Sequence, residues 1–316
     1  MSRVFPLIFQ WLFLIALAPS VSWFIKKMKA ASQNRRGPTL FQTYADLMKL
    51  FQKDMVISDT ASWIFHAMPF ILFAVTFLAA TMVPVLWANS LSGFLGDIIV
   101  FVYLLALGRF FLALAAVDTG TTFGGMGSSR EMALSSLGEI ALLLAFFALG
   151  VYAHAFSFGG IISYFMNKSP IEVLFFTSLA FGAILIVTIA ETARIPVDNP
   201  ATHLELTMIH EAMILEYSGK YLALIEWSQH IKQLMFLSLL ANIFLPWGIL
   251  DTNTAVTAGE GWSLLVYMVK VFFLTAVIGW IEIHCAKLRL FRVPDLFAIA
   301  LVLAILALLG QLMFGR

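Results

Sequence analysis

Between Glu191 and Gly219 stand five of the chain's 18 acidic residues, Glu191, Asp198, Glu205, Glu211 and Glu216, and Glu226 follows shortly after. Carboxylates grouped in this way can hold and pass protons if they are partly withheld from water, because crowding and lost hydration favour the protonated form. The residues between them meet that condition. Leu204, Leu206, Met208, Ile209, Ala212, Met213, Ile214 and Leu215 make the stretch about as apolar as a core helix. Asn199-Pro200 breaks a helix and Pro200 can open another, so the spacing predicts a helix over 201–215 on which Glu205, Met208, Glu211 and Leu215 share a face. The competing reading of the same acids is a set of structural ion pairs with Arg194, Lys220 and Lys232.

Glu139 strengthens the proton-relay reading. It lies among Leu134, Leu137, Ile140 and Ala141, in a run where an ionisable side chain costs roughly 2.5–3.5 kcal/mol on insertion scales and marks a pathway or a pair. Arg109 sits midway along another apolar run and requires an acidic partner on a neighbouring helix. Glu282 reads as an interfacial carboxylate. The Gly- and Ser-rich segment 117–131, with Asp118, Arg130 and Glu131, reads as a loop against which something packs closely. It has neither the preceding strand nor the Lys-Ser/Thr pair of a phosphate cradle. His203 and His210 are seven apart, but no matching pair stands on a second membrane helix, which disfavours a bis-histidine haem. The single cysteine, Cys285, cannot build an iron–sulfur cluster, a structural zinc site or an intramolecular disulfide, so no metal or cofactor is expected in this chain.

The elements that must position these groups are membrane helices. A composition that is 61% hydrophobic and 12% charged departs from the roughly 45–50% and 25% of soluble domains. Apolar runs near 4–25, 65–88, 96–117, 132–156, 171–193, 221–247, 262–284 and 293–314 predict an all-α polytopic membrane protein with about eight transmembrane helices, one transmembrane domain over 1–316. The first run reads as a retained helix, because no small-residue cleavage site precedes the basic cluster after it. Leu40, Phe41, Tyr44, Leu47, Met48 and Phe51 recur at helical spacing opposite Gln42, Asp46, Lys49 and Lys53, which predicts an interfacial amphipathic helix. The loops 26–64, 118–131, 194–220 and 285–292 carry 13 of the 19 basic residues: Lys26, Lys27, Lys29, Arg35, Arg36, Lys49, Lys53, Arg130, Arg194, Lys220, Lys287, Arg289 and Arg292. They are all odd-to-even loops, so they share one side, the cytoplasmic one, with both termini outside. A net charge of +1 excludes a general nucleic-acid surface.

Five motifs in one order carry a resemblance that spans nearly the whole chain. They are Asn34-Arg35-Arg36-Gly37-Pro38, Asp118-Thr-Gly, Gly127-Ser-Ser-Arg130-Glu131, Glu191-Thr-Ala-Arg194-Ile-Pro196-Val-Asp198 and Glu216-Tyr217-Ser218-Gly219. Together they resemble the subunit 1 family of complex I and its relatives in membrane-bound energy-converting hydrogenases, with Asp118-Thr-Gly, the Gly-Ser-Ser-Arg-Glu form and Trp247-Gly closer to the hydrogenase branch. The resemblance implies a non-catalytic heel subunit in the inner membrane of a prokaryote. It would seat a soluble hydrogenase-like large subunit and an iron–sulfur small subunit on its inner loops, and antiporter-like subunits within the lipid bilayer. Iron–sulfur clusters, and a NiFe centre or quinone, would belong to those partners. Carried over by position, Glu139, Glu191, Asp198, Glu205 and Glu216 match the family's entry proton path, with Glu211 beside them. Arg35, Arg36, Arg130 and Arg194, together with Asp118, take interface or cavity positions. The alternatives are a quinone-site-forming subunit of an NADH:quinone oxidoreductase, a free-standing cation transporter and a passive anchor.

Overall fold

The computed structural model of the chain describes residues 4–58, 60–88, 97–199, 208–250 and 259–314. The helices run in the order α1 (Val4–Ser32), α2 (Gln42–Gln52), α3 (Trp63–Met82), α4 (Asp97–Asp118), α5 (Thr122–Ala153), α6 (Phe158–Met166), α7 (Pro170–Glu191), α8 (His210–Ile214), α9 (Gly219–Phe244), α10 (Gly259–His284) and α11 (Val293–Phe314). Eight of these, α1, α3, α4, α5, α7, α9, α10 and α11, have 20 or more residues and stand on the eight apolar runs. By length and composition six are apolar enough to cross a membrane; the shorter described apolar part of α7 and the whole of α9 are not among them. α9 falls short because it carries Lys220, Glu226, Lys232 and several amides. It tolerates them by standing inside the bundle, packed against α1, α2, α3, α6, α7 and α10 with most of its residues buried. α10 and α11 are the reverse: apolar and outward-facing, with Val269, Phe273, Val302 and Leu309 exposed, as lipid-facing helices are.

Side-chain and backbone bonds sort the connections onto two ends. At one end Ser218 Oγ bonds both the N–H and the C=O of Val56, Ser62 N–H donates to Asp118 Oδ2 (2.8 Å), Lys287 pairs with Asp198 and Lys29 with Glu282. All four of the basic loops meet there. At the other end Asn242 Nδ2 donates to the carbonyls of Pro84 and Val85, and Leu250 exchanges hydrogen bonds with the 86–88 segment.

α2 forms where its periodicity places it and uses its apolar face in two ways. Leu47 is buried and Phe51 meets Trp227 edge to face, whereas Phe41 and Met48 remain exposed beside them. The connection at 157–170, between two of the apolar runs, is not plain loop. It folds into α6, whose Phe158 packs against Phe101 and Phe146. The stretch 118–131 is also not a loop beyond Thr121, which caps α5 by accepting from Gly124 N–H. Its glycines serve helix packing: a Cβ on Gly127 would lie 2.8 Å from Ala212 Cβ and 2.9 Å from Ile209 O, so the bare backbone is what lets α8 lie against α5. Of the helix expected over 201–215, only 208–215 falls within the described residues, where α8 occupies His210–Ile214. Gly219, at φ +55°, turns the chain into α9 with its α-carbon face against the carbonyls of Lys53 and Asp54.

The Gly127→Ala chain should lose about 1–3 kcal/mol of stability through overpacking. Thermal unfolding of the detergent-solubilised chain should show a lowered midpoint. Gly125→Ala, with nothing within 4 Å of the added methyl, should hold or raise it.

Candidate proton-transfer site

Four helices place charged groups around one point. Arg109 of α4 donates through Nη1 to Glu191, the last residue of α7, and through Nη2 to Glu139 Oε1 of α5 at 2.5 Å. Lys232 of α9 reaches Glu191 Oε2 at 2.7 Å. The guanidinium and Glu191 are almost fully enclosed, while the Glu139 side chain keeps 31% of its surface open on the flank of the bundle. The partner required for Arg109 is therefore two carboxylates. A third carboxylate, Glu131 of α5, interacts electrostatically with Arg109, Glu191, Lys232 and Asp198 and lines the same small cavities. The sequence does not single out Glu131 as a site residue, because its glycine- and serine-rich surroundings have the composition of a loop. With α5 starting at Thr122, Glu131 and Glu139 lie eight residues apart on one helix, near enough to two turns to share a face.

Asp198 latches the neighbouring segment. Its Oδ1 accepts from Asn199 N–H (2.8 Å) and Lys287 (3.1 Å), and its Oδ2 from the backbone N–H groups of Ile209 (3.2 Å) and His210 (3.0 Å). Arg130 adds a bond to Met208 O at 3.1 Å. These contacts hold α8 under the Arg109 cluster. They also place the His210 ring, whose Nε2 accepts from Gln229 Nε2 of α9 at 2.8 Å.

Beyond His210 opens a cavity of about 970 Å³, lined by Lys26, Lys29, Arg35, Arg36, Arg194, Glu211, Glu226, Gln229, His230 and Glu282 among others. Arg194 is aimed into it by the end of α7, where Ala193 takes a left-handed φ of 50°. Its guanidinium donates to Gln233 Oε1 (2.7 Å), and Gln233 in turn accepts from Ser22, which bonds His230 Nδ1. Arg194 lies 3.8 Å from Glu282, which also pairs with Lys29 at 3.1 Å. Glu282 is thus fully buried and bridging, not interfacial. Arg194 belongs to this group and not to Glu191 and Asp198. Burial pulls its guanidinium below the usual range, opposed by Glu282 and Glu226. Burial also pushes the Glu211 carboxyl up to about 7, with help from Glu226 and Asp198. Burial, then the Lys232 charge, pull His210 down to about 4, so its ring is neutral.

The sequence pattern of the NADH dehydrogenase family matches residues 5–312. The chain belongs to that family. It is 34% identical to formate hydrogenlyase subunit 4 of Escherichia coli (strain K12) over 294 residues, covering 93% of this chain and 94% of the relative. It is 31% identical to hydrogenase-4 component C of the same organism, covering 94% and 92%. In fold it matches a chain of the membrane-bound sulfane sulfur reductase, an archaeal respiratory membrane complex, with TM-score 0.75 at 23% identity over 96% of this chain and 99% of that one.

Of the residues expected from the sequence to carry protons, Glu139 and Glu191 meet at Arg109, and Asp198 lines the small cavity beside them while holding α8. Glu211 faces the large cavity. Glu216 is exposed and stands apart from the cluster, and Glu205 lies outside the described residues. Arg35, Arg36 and Arg194 line the cavity; Asp118 instead caps the start of α3 through Ser62 N–H. Among the described residues no group of three or more His, Cys, Asp or Glu is placed to hold a metal ion.

Glu211 sets a pH dependence. Its folded value of about 7 lies above the ordinary 4.5, so the stability it contributes is complete below pH 4.5 and is lost as pH rises through 7, at most roughly 3 kcal/mol at about 1.4 kcal/mol per pH unit. Thermal midpoints between pH 5 and 8 should therefore fall more steeply in the native chain than in Glu211→Gln, and the variant should be the more stable above pH 7.

Proposed function

We propose that this chain is the membrane heel of a hydrogenase-type, complex I-like respiratory complex, and that it couples electron transfer in a soluble partner to proton movement through the Arg109 cluster. The observation that carries this reading is the charge count. Arg109 and Lys232 face Glu131, Glu139 and Glu191 inside the bundle, three carboxylates against two cations. Asp198 is matched separately by Lys287. An uncompensated charge is costly where water is scarce, so binding one proton brings the cluster to neutrality and releasing it does not. Such a site loads or unloads when a nearby charge changes. Glu139, open on the flank, is the point from which a proton would pass to an antiporter-like neighbour.

The basic inner rim, Lys26, Lys29, Arg35 and Arg36, supports docking of the soluble arm, a hydrogenase-like large subunit with an iron–sulfur small subunit. The positive-inside bias supports a cytoplasmic position for that rim, with both termini outside. The iron–sulfur clusters and any NiFe centre are assigned to those partners. A quinone seat in the large cavity is the second reading. The apolar part of its lining, Ala30, Ala193, Ile195, Ile214 and Ile283, supports that reading, while the lysines, arginines, glutamates and amides beside them support water and ions.

The test uses the complete complex, purified through this chain, reconstituted into proteoliposomes and driven by a low-potential artificial donor. Glu191→Gln and Glu139→Gln should each abolish proton movement per electron while the partner's redox turnover and assembly persist, and the chain by itself should move no cation. Normal translocation in both variants, or transport by the isolated chain, would overturn the assignment.

A further inference from the structure

His210 lines the large inner cavity and also each of two small ones, of about 20 Å³ apiece, that flank the Arg109 cluster. One small cavity is bounded by Glu131, Ser135, Glu191 and Asp198, the other by Glu131, Ser228, Gln229 and Lys232. A void of that size holds one water, and both have the polar partners that a water needs. No direct contact between the large cavity and Glu191 is required: the imidazole stands between them. Its backbone is held by Asp198 Oδ2 and its ring by Gln229, so a rigid frame sets its position.

We propose that His210 is the proton gate between the inner cavity and the buried carboxylate cluster, with Gln229 as its positioning residue and Glu131 as the first acceptor beyond it. This inference rests on the coupling function proposed above and deepens it. The ring, which accepts from Gln229 at Nε2 and so holds its proton on Nδ1, takes a second proton from water of the large cavity at Nε2 as the Gln229 amide turns to present its oxygen; the imidazolium then gives the Nδ1 proton to water in a small cavity and so to Glu131, and the ring ends neutral. The groups that face it set the direction of this exchange. Lys232 of α9 and Arg109 of α4 oppose a lasting positive charge on the ring, whereas Asp198, Glu191 and Glu131 on the connection after α7, on α7 and on α5 draw the proton onward. A neutral resting ring meets this need: it is ready to accept, and a permanently charged one would block the passage. Gln229, bonded to Nε2, keeps that nitrogen oriented; an amide does not itself take up and release a proton in this pH range.

The experiment again uses the complete reconstituted complex. His210→Ala and His210→Gln should each lower protons moved per electron by at least tenfold, as loss of a proton-transferring side chain does, with redox turnover retained. His210→Gln keeps a hydrogen-bonding group beside Gln229, so it separates proton carriage from packing. Added imidazole, small enough to enter the large cavity, should restore coupling in His210→Ala, and 4-methylimidazole should shift the pH at which rescue is half-complete upward with its higher basicity. Native coupling in His210→Gln, or a loss in His210→Ala that no imidazole restores, would overturn the gate. The two ideas fail separately: if Glu191→Gln uncouples while His210→Gln does not, the gate falls and the cluster stands, and native coupling in both removes both.

Discussion

Arg109 carries a guanidinium well inside a membrane-spanning helix, and the rest of the site is arranged around keeping it there. Its two ends are taken by Glu139 of α5 and Glu191 of α7, and Lys232 of α9 closes on Glu191 from the other side. Leaving any of these charges alone would cost about 3–5 kcal/mol, the penalty of an unpaired buried charge. The ionic groups thus tie α4 to α5 and α7, and α7 to α9. Glu131 shares Arg109 and Lys232 with these carboxylates, and in the function proposed above that third acid is what lets the charge of the network change by a proton.

The architecture serves that network by bringing an irregular segment deep into the bundle. Residues 208–214 of the connection between α7 and α9 lie inside the bundle because Asp198 satisfies the backbone N–H groups of Ile209 and His210, Arg130 takes the Met208 carbonyl and Gly127 offers no side chain in the way. Backbone outside a helix is tolerated at such depth only where it is bonded or lines a polar cavity, and here both hold. The large cavity, lined by the Arg194–Glu282–Lys29 group and by Lys26, Arg35 and Arg36, then extends to His210 and Glu211 of α8.

Much of this is legible from residue types. The eight helices follow from apolar runs of bilayer length, α2 from its period, the partner of Arg109 from the cost of a lone charge, and the burial of Met208, Ile209, Ala212, Met213 and Ile214 from the apolar character of the acidic stretch, of which Leu215 and Glu216 are exposed. What escapes has a common cause: the decisive choice is made by packing. Gly and Ser at 124–129 have loop propensities, yet they are helical, with Gly127 packed against α8, and the expectation of a loop there conceals Glu131. Charge spacing along the chain cannot say that Arg194 pairs with Glu282 of α10 while Lys232 takes Glu191. Glu216 matches a family motif but is exposed, and His210 gains significance only from the three cavities that meet at its ring.

The central claim is that redox change in a partner alters the protonation of this chain's buried carboxylates. Redox-difference infrared spectroscopy on the intact complex, with glutamate carboxyl groups isotopically labelled in this chain alone, measures that directly. A carboxylic-acid C=O band that changes with redox state, shifts with the label and is lost from Glu131→Gln is the result expected. A difference spectrum in which no labelled carboxyl band changes between the oxidised and reduced complex would contradict the account.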